Sequence, residues 1–237
     1  MIVKLKLLRN YLKEIYFRFH HAIAIYKKRL FRLAVKTKIH LPEDFCYDET
    51  RAIPRGRKAP DGNFYSRSYH LEYKEIPDCM WEEIKNFDTV LRLYFGGDYM
   101  ITEPQIWRNT GLPKKYSEID IFSQVWHYDK VVDYRNVQLF ILLGNTTDAH
   151  GPLKYDEQPS ETRVLSEVSR RDSISIVANK PVSLTGARGD GLWFSTGSMP
   201  HRAGIPNEGL HRDLMSIAFF PLYTSIGKRI SSFETPR

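Results

Sequence analysis

The first 35 residues carry apolar side chains at a nearly helical spacing. Residues 2–35 contain no glycine or proline, the two residues that most often interrupt a helix. Apolar positions that recur every three or four residues place one apolar face along a helix. The pattern therefore predicts one long amphipathic helix or two shorter ones. Its apolar positions are Leu5, Leu8, Leu12, Ile15, Phe19, Ala22, Ile23, Tyr26, Leu30 and Leu33.

A second helical pattern begins near Asp78 and ends at two glycines. Asp78 follows Pro77 and is a candidate N-cap, and Gly96 with Gly97 supplies a stop signal. We therefore predict a helix between these points. Its apolar face consists of Met80, Ile84, Phe87, Leu91 and Tyr94.

The rest of the chain shows short β-rich runs between turn clusters. Residues 41–76 are turn-rich and predict a loop that ends in a short strand. Later strands are predicted at residues 119–129, 137–143, 173–178, 191–195 and 213–219. This pattern is typical of an antiparallel sandwich or barrel behind a helix. We expect a mainly β fold with flanking helices, divided into a basic helical arm (residues 1–40) and one β domain (residues 41–237).

The positive charge of the chain is concentrated in the arm. Residues 1–40 hold seven Lys and four Arg against one Glu, a charge of +10, so residues 41–237 carry −3 of the total of +7. An amphipathic basic helix is typical of a segment that lies on anionic lipid. The alternative is a helix that packs on the β domain and exposes its basic face to solvent. Nucleic acid is not an expected partner, because no recognisable motif accompanies the charge.

Two cysteines, Cys46 and Cys79, cannot build a disulfide framework and lack the CxxC spacing of a zinc or redox site. This cysteine usage favours a reduced, cytoplasmic protein. Contact of the arm with the inner face of the membrane is a further expectation for its location.

Three histidines are each followed two residues later by a carboxylate. In a strand, residues i and i+2 point to the same side, so such a pair can bind one metal ion. About one such pair is expected by chance in a chain with 8 His and 28 acidic residues, so strand context must distinguish them. The pairs are His70 with Glu72, His127 with Asp129, and His211 with Asp213.

The pair His127 and Asp129 fits best, because it lies in the predicted strand IFSQVWHYD. A facial site of two histidines and one carboxylate also needs a later histidine. His201 supplies one after the strand GLWFS, whereas no histidine follows His211. The sequence around His70, SYHLEYKE, indicates an exposed alternating strand instead.

Arg212 follows His201 across a turn at residues 206–209. If the flanking segments form a hairpin, His201 and Arg212 lie opposite each other on one face. A guanidinium in that position could bind a carboxylate in bidentate fashion while the same molecule chelates the metal. This is the requirement for binding 2-oxoglutarate.

In this order, the motifs YFGGDY, QVWHYD, VQLFILLGNTTDAHGPL and GDGLWFSTGSMPHRAG, with the Arg before LMSIAFFP, resemble the phytanoyl-CoA dioxygenase-like family of Fe(II)- and 2-oxoglutarate-dependent oxygenases. The resemblance covers roughly residues 87–221. It implies a double-stranded β-helix of jelly-roll, cupin-like type. It also implies that His127, Asp129 and His201 bind iron, that Arg212 anchors 2-oxoglutarate, and that Gln105 is a candidate contact to that cosubstrate.

The resemblance implies oxidation of a substrate with release of succinate and CO₂, and Asp129 favours hydroxylation or another oxidation over halogenation. The substrate is not specified, because the segment LKYDEQPSETR departs from the family pattern. A small molecule such as an acyl-CoA, an amino acid derivative or a sugar would fit, and so would a lipid-linked precursor. The alternative from another class is a non-catalytic jelly-roll protein that binds a metal or carbohydrate, which would have no use for Arg212.

Overall fold

A computed structural model describes residues 32–56, 58–116, 123–129, 135–159, 178–222 and 228–230. These residues form one long helix, α1 (Asp78–Phe95), and strands that pair into two antiparallel sheets. The strands are β1 (Ala34–Lys38), β2 (Ile53–Pro54), β3 (Ser66–His70), β4 (Tyr99–Ile101), β5 (Gln105–Thr110), β6 (Val137–Leu142), β7 (Leu153–Asp156), β8 (Pro181–Ser183), β9 (Asp190–Phe194), β10 (His201–Ala203), β11 (His211–Pro221) and β12 (Lys228–Ile230). Short 3-10 helices lie at Tyr73–Glu75, Lys114–Tyr116 and Asp148–His150.

The larger sheet has the order β1-β9-β6-β11-β5-β3-β2. Strand β4 pairs with the far end of β11 and with β12. The smaller sheet has the order β10-β7-β8. Every described ladder is antiparallel, so the body is a sandwich of two antiparallel sheets.

Alternate residues of the central strands belong to two different cores. Leu139 and Ile141 of β6 pack into the cluster that contains the buried face of α1. Phe140 and Leu142 belong to the cluster that contains Tyr155 of the smaller sheet. This period of two, buried on both sides, explains why β6 is an almost continuous apolar run. The layers are therefore helix, large sheet and small sheet, and the second core lies between the sheets.

Helix α1 confirms the second helical pattern, with a shift at its start. Pro77 is the N-cap, Asp78 is the first helical residue, and no side chain caps the helix. Gly96 ends it with φ 77°, a left-handed conformation that glycine adopts at little cost, and its N–H donates to the carbonyl of Arg92.

The expected N-terminal helix is wrong at its last residues. Ala34 and Val35 lie in β1, where Val35 pairs with Trp193 of β9. Residues 1–31 of the predicted arm lie outside the described residues. The edge of the large sheet supplies backbone partners to residues 34–38, and such pairing overrides a short helical pattern.

The strands predicted at 137–143, 191–195 and 213–219 are confirmed as β6, β9 and β11. Residues 119–122 and 173–177 lie outside the described part of the chain. Residues 123–129 form an isolated bridge at His127 instead of the expected strand. Both cysteines are free thiols. Within the described residues, no helix combines the length and the apolarity that a membrane span requires.

Candidate metal centre

Two histidines face each other across an isolated antiparallel bridge. The N–H of His127 donates to the carbonyl of His201, the N–H of His201 donates to the carbonyl of His127, and both bonds are 2.9 Å long. His201 is also the first residue of β10 and pairs with Tyr155 of β7. The two imidazole centroids are 4.4 Å apart. The backbone pairing therefore fixes both rings side by side at the edge of the small sheet.

Asp129 completes a group of three metal-ligand types. Its backbone N–H donates to the carbonyl of Thr196 over 3.0 Å. Its Oδ1 lies 3.8 Å from Nε2 of His127 and 3.6 Å from Nε2 of His201. One ligand atom from each residue lies within 4.8 Å of the others. Two histidines and one carboxylate in this arrangement match the facial set that holds non-heme Fe(II).

Backbone carbonyls orient both imidazoles. Nδ1 of His127 lies 2.8 Å from the carbonyl of Val125, and Nδ1 of His201 lies 3.3 Å from the carbonyl of Met199. A carbonyl oxygen only accepts, so Nδ1 carries the proton in both contacts. In the neutral ring the lone pair is then on Nε2, the atom that faces Asp129.

Strand β6 contributes a polar contact to the carboxylate. Nε2 of Gln138 donates to Oδ2 of Asp129 over 2.8 Å. Thr196 Oγ1 accepts a 2.7 Å hydrogen bond from the Asn136 side chain. Thr196 also forms a hydrogen bond with the Asp129 carboxylate, and these contacts set the rotation of the carboxylate, with Oδ1 on the side of the histidines. Burial by itself raises the pKa of Asp129, but the charge and hydrogen bond that His201 provides in its protonated form, together with a hydrogen bond from Thr196, outweigh it, so the pKa is lowered and the carboxylate is ionised.

Arg212 is a buried cation at the start of β11. Its side chain donates through Nη1 to the carbonyl of Gly151. Its Nε has no hydrogen-bond partner, and no carboxylate among the described residues pairs with it. Burial lowers its pKa to about 10. A buried guanidinium without a counter-ion is costly, so this position favours an anionic ligand.

The predicted hairpin between His201 and Arg212 is wrong. β10 lies in the small sheet, whereas β11 lies in the large sheet, where Arg212 pairs with Asn109 of β5. The turn after β10 carries the chain from one layer to the other, so its flanks are not paired. Arg212 nevertheless shares its side of β11 with Leu214, a residue of the core between the sheets. His201 contacts Phe194 of the same core, with ring centroids 5.6 Å apart.

Gln105 lies on the same side of the large sheet but forms no hydrogen bond with the three ligand residues or Arg212 among the described residues. It pairs in register with Ser216 of β11 and His70 of β3. Its Oε1 accepts a 2.7 Å bond from Arg55. It lines a cavity of about 660 Å³. Gln105 of β5 therefore lies beside Ser216, which is four residues from Arg212 along β11.

The other two histidine pairs form no such group in the described residues. β3 ends at His70, so Glu72 does not follow it in a strand. His211 is exposed, and Asp213 is engaged by Arg108 through bonds of 2.6 and 2.7 Å. The sequence argument rejected His211 because no histidine follows it and His70 because its segment indicated an exposed strand; strand context does not separate the pairs, since His211 and Asp213 lie in β11 whereas His127 forms only an isolated bridge.

Sequence reasoning missed Gln138. A signal was present, because Gln138 is the single polar residue in the buried run VQLFIL. A polar side chain inside a strand that is buried on both faces requires a hydrogen-bond partner. Only the closure of the sandwich shows that the partner is Asp129.

No family model matches the chain, and no curated protein sequence matches it. Several solved structures, however, match the chain in fold. EctD from S. alaskensis with 2-oxoglutarate and 5-hydroxyectoine is 15% identical, with coverage of 90% of this chain and 80% of that chain and a TM-score of 0.52. The non-heme alpha ketoglutarate dependent carbocyclase SnoK from nogalamycin biosynthesis is 12% identical, with coverage of 84% and 83% and a TM-score of 0.51.

EctD from S. alaskensis with bound Fe is 14% identical, with coverage of 86% of this chain and 78% of that chain and a TM-score of 0.50. At these identities the likeness concerns the fold alone. It agrees with the two antiparallel sheets described above. The expected double-stranded β-helix fold is therefore confirmed.

Proposed function

We propose that the chain is an Fe(II)- and 2-oxoglutarate-dependent dioxygenase that hydroxylates a small molecule. The observation that carries the proposal is the buried, uncompensated Arg212 cation in the same interior as the His127, Asp129 and His201 group. A protein that only binds a metal needs the group but has no use for the cation. An oxygenase needs both, because 2-oxoglutarate has a carboxylate at the end far from its metal-binding 2-oxo acid.

The residues present fit Fe(II). Two neutral imidazoles and an ionised carboxylate suit a divalent first-row metal, and the contacts of Nδ1 and of Oδ2 of Asp129 orient the ligand atoms. The residues also fit 2-oxoglutarate, since Arg212 has an orphaned Nε and a guanidinium binds carboxylates in bidentate fashion. The motif order supports a relation to the phytanoyl-CoA dioxygenase-like family. EctD, which is similar in fold, has been solved with 2-oxoglutarate.

Bound here, iron and 2-oxoglutarate would supply an oxidation in which one oxygen atom of O₂ enters succinate, with loss of CO₂, and the other enters the substrate as a hydroxyl. The chain provides placement. His127, Asp129 and His201 hold the metal, and Arg212 holds and orients the cosubstrate through its distal carboxylate. Gln138 keeps the Asp129 carboxylate in its rotamer.

Apolar side chains around these groups exclude water. Phe140, Leu142, Phe194 and Leu214 are buried in the core between the sheets, and Trp107 packs against it. A dry surrounding strengthens the pairing of Arg212 with a carboxylate, because the effective dielectric constant is lower than in water. It also protects a reactive site from side reactions.

Conversion of 2-oxoglutarate to succinate tests the proposal. The full chain is loaded with Fe(II) without oxygen, mixed with 2-oxoglutarate and a pool of small polar metabolites, and exposed to O₂. Succinate is then measured by mass spectrometry. We expect oxygen-dependent succinate from the wild type and from His211→Ala, a matched variant at a rejected pair, and none from Asp129→Ala.

Two outcomes would contradict the proposal. Tight metal binding without oxygen-dependent succinate, with or without the metabolite pool, would support the non-catalytic jelly-roll alternative. Equal succinate from the wild type and Asp129→Ala would show that the product arises from iron in solution.

A further inference from the structure

A cavity opens beside the proposed metal centre, at the end of the large sheet away from Arg212. Its volume, about 660 Å³, is in the range of roughly 300–1,000 Å³ that small-molecule sites occupy. Its wall comes from strands β3, β5, β6 and β11 and from the segments beside them. The lining residues are His70, Tyr73, Thr102, Glu103, Gln105, Gln138, Ser216 and Ala218.

Gln138 joins this cavity to the proposed metal centre. The side chain lines the cavity and donates to Oδ2 of Asp129 over 2.8 Å. In register, Gln138 lies beside Ala218 of β11. Arg212 lies six residues earlier on that strand, about 20 Å away along its axis at about 3.3 Å per residue. A molecule in the cavity therefore approaches Asp129 from a different side than a ligand of Arg212.

The walls of the cavity are polar. Seven of the eight lining residues have a hydrogen-bonding side chain, and Ala218 is the exception. Ser216 is buried, and its side chain lines the cavity. Gln105 and Gln138 already have protein partners, but an acyl chain would displace water from the Ser216 hydroxyl and the Glu103 carboxylate without replacing its hydrogen bonds, which is unfavourable. A ligand with many hydroxyl groups would satisfy them.

The one formally charged lining side chain is acidic. Glu103 lines the cavity, is exposed and has no ion pair among the described residues. It attracts a cation and repels an anionic group such as a carboxylate or a phosphate. From these features we infer that the cavity is the substrate pocket and takes a small, hydroxyl-rich molecule with a protonated amine, such as an amino sugar or amino polyol. This inference rests on the proposed function, since it assigns the substrate of the same centre.

A charge series of sugars tests the inference by binding alone. Glucosamine, glucose and glucuronate have the same ring size and differ in charge, and hexanoate represents an acyl chain. Affinities for the full chain are measured by saturation-transfer NMR without metal or 2-oxoglutarate. We expect the order glucosamine, glucose, glucuronate, with hexanoate not bound.

Two variants test whether the Glu103 carboxylate causes the preference for the cationic sugar. Glu103→Gln should weaken glucosamine about two- to fivefold, the effect of a solvent-exposed ion pair, and leave glucose unchanged. Glu82→Gln removes an exposed carboxylate on α1, across the large sheet from the cavity, and should change neither sugar.

The inference is wrong if none of the sugars binds, if glucuronate or hexanoate binds best, or if Glu103→Gln changes glucosamine no more than Glu82→Gln does. Because neither metal nor cosubstrate is present, these results are independent of the succinate assay. A failed proposed function would leave the charge order intact, and a failed charge order would leave succinate formation intact.

Discussion

Replacing Arg212 by methionine should stabilise the ligand-free protein and abolish its preference for 2-oxoglutarate. Methionine keeps much of the length of the side chain and removes the charge. Arg212 is only 2% exposed, and its guanidinium has no carboxylate partner among the described residues. The same group is therefore a cost in the empty protein and a benefit in the complex.

The magnitude follows from the pKa. Burial lowers the pKa of Arg212 from 12.5 to about 10. A tenfold change in proton affinity corresponds to about 1.4 kcal/mol, so the charged form costs the fold about 3 kcal/mol at neutral pH. The lowered pKa of a cation means that the fold disfavours the charge, so its removal is stabilising. Loss of the hydrogen bond to Gly151 offsets about 1 kcal/mol of this gain.

Arg212→Met should stabilise the ligand-free protein but weaken the binding of 2-oxoglutarate. Removing one partner of a buried charge pair costs about 2–5 kcal/mol, which weakens 2-oxoglutarate binding by about 30-fold to several thousand-fold. Pyruvate has the same 2-oxo acid and lacks the distal carboxylate. Its affinity should therefore stay nearly the same in the variant.

Thermal unfolding without oxygen, with Mn(II) in place of Fe(II), measures both effects. At about 2–4 °C per kcal/mol, the ligand-free variant should unfold several degrees above the wild type. 2-Oxoglutarate should raise the midpoint of the wild type more than pyruvate does, and the two acids should act equally on the variant.

Arg108→Met is the control, because Arg108 pairs with Asp213 through bonds of 2.6 and 2.7 Å. It should lower the midpoint and keep the preference for 2-oxoglutarate. An Arg212→Met variant that unfolds below the wild type and still prefers 2-oxoglutarate would refute the reasoning.

Three further predictions concern other parts of the chain. Gln138→Leu should weaken metal binding about 10- to 100-fold in an anaerobic titration, because it removes the hydrogen bond to Asp129, and unchanged affinity would contradict this role. Gly151→Ala should lower the free energy of unfolding in urea by at least about 1–3 kcal/mol, because Gly151 has φ 60° and an added Cβ would lie 2.2 Å from the backbone of Ile205; equal stability would contradict the close contact. If the basic N-terminal arm lies on anionic lipid rather than on the β domain, the full chain should sediment with anionic vesicles at low salt but not at high salt, and recovery in the supernatant under all conditions would exclude the membrane interpretation.

The sequence predicted the elements whose pattern is local and strong. Helix α1 has a full apolar face and a Gly96 stop, and β6, β9 and β11 are apolar runs buried on both sides. Short strands were missed, because β8 and β10 have three residues each and belong to a small sheet that forms only on closure. A three-residue strand has too few positions to show a period of two.

The grouping of His127, Asp129 and His201 could be predicted from the spacing and order of the three residues, although residues 123–129 form an isolated bridge instead of the expected strand. The position of Arg212 relative to His201 could not be predicted. Turn residues show that the chain reverses, but they do not show which sheet the next strand joins. The hydrogen bond between Gln138 and Asp129 could not be predicted for the same reason. The two residues are nine apart in the chain, and the bond forms only where the side chain of Gln138 in β6 reaches the Asp129 carboxylate. Contacts of this kind depend on how the layers close.

Anaerobic titration with Fe(II) measures the metal centre itself. We expect one tight site per chain in the wild type, its loss in His127→Ala and Asp129→Ala, and wild-type affinity in His211→Ala, where the exposed histidine lies outside the group. Wild-type affinity in both His127→Ala and Asp129→Ala, or loss of the site in His211→Ala alone, would contradict the assignment of the metal centre.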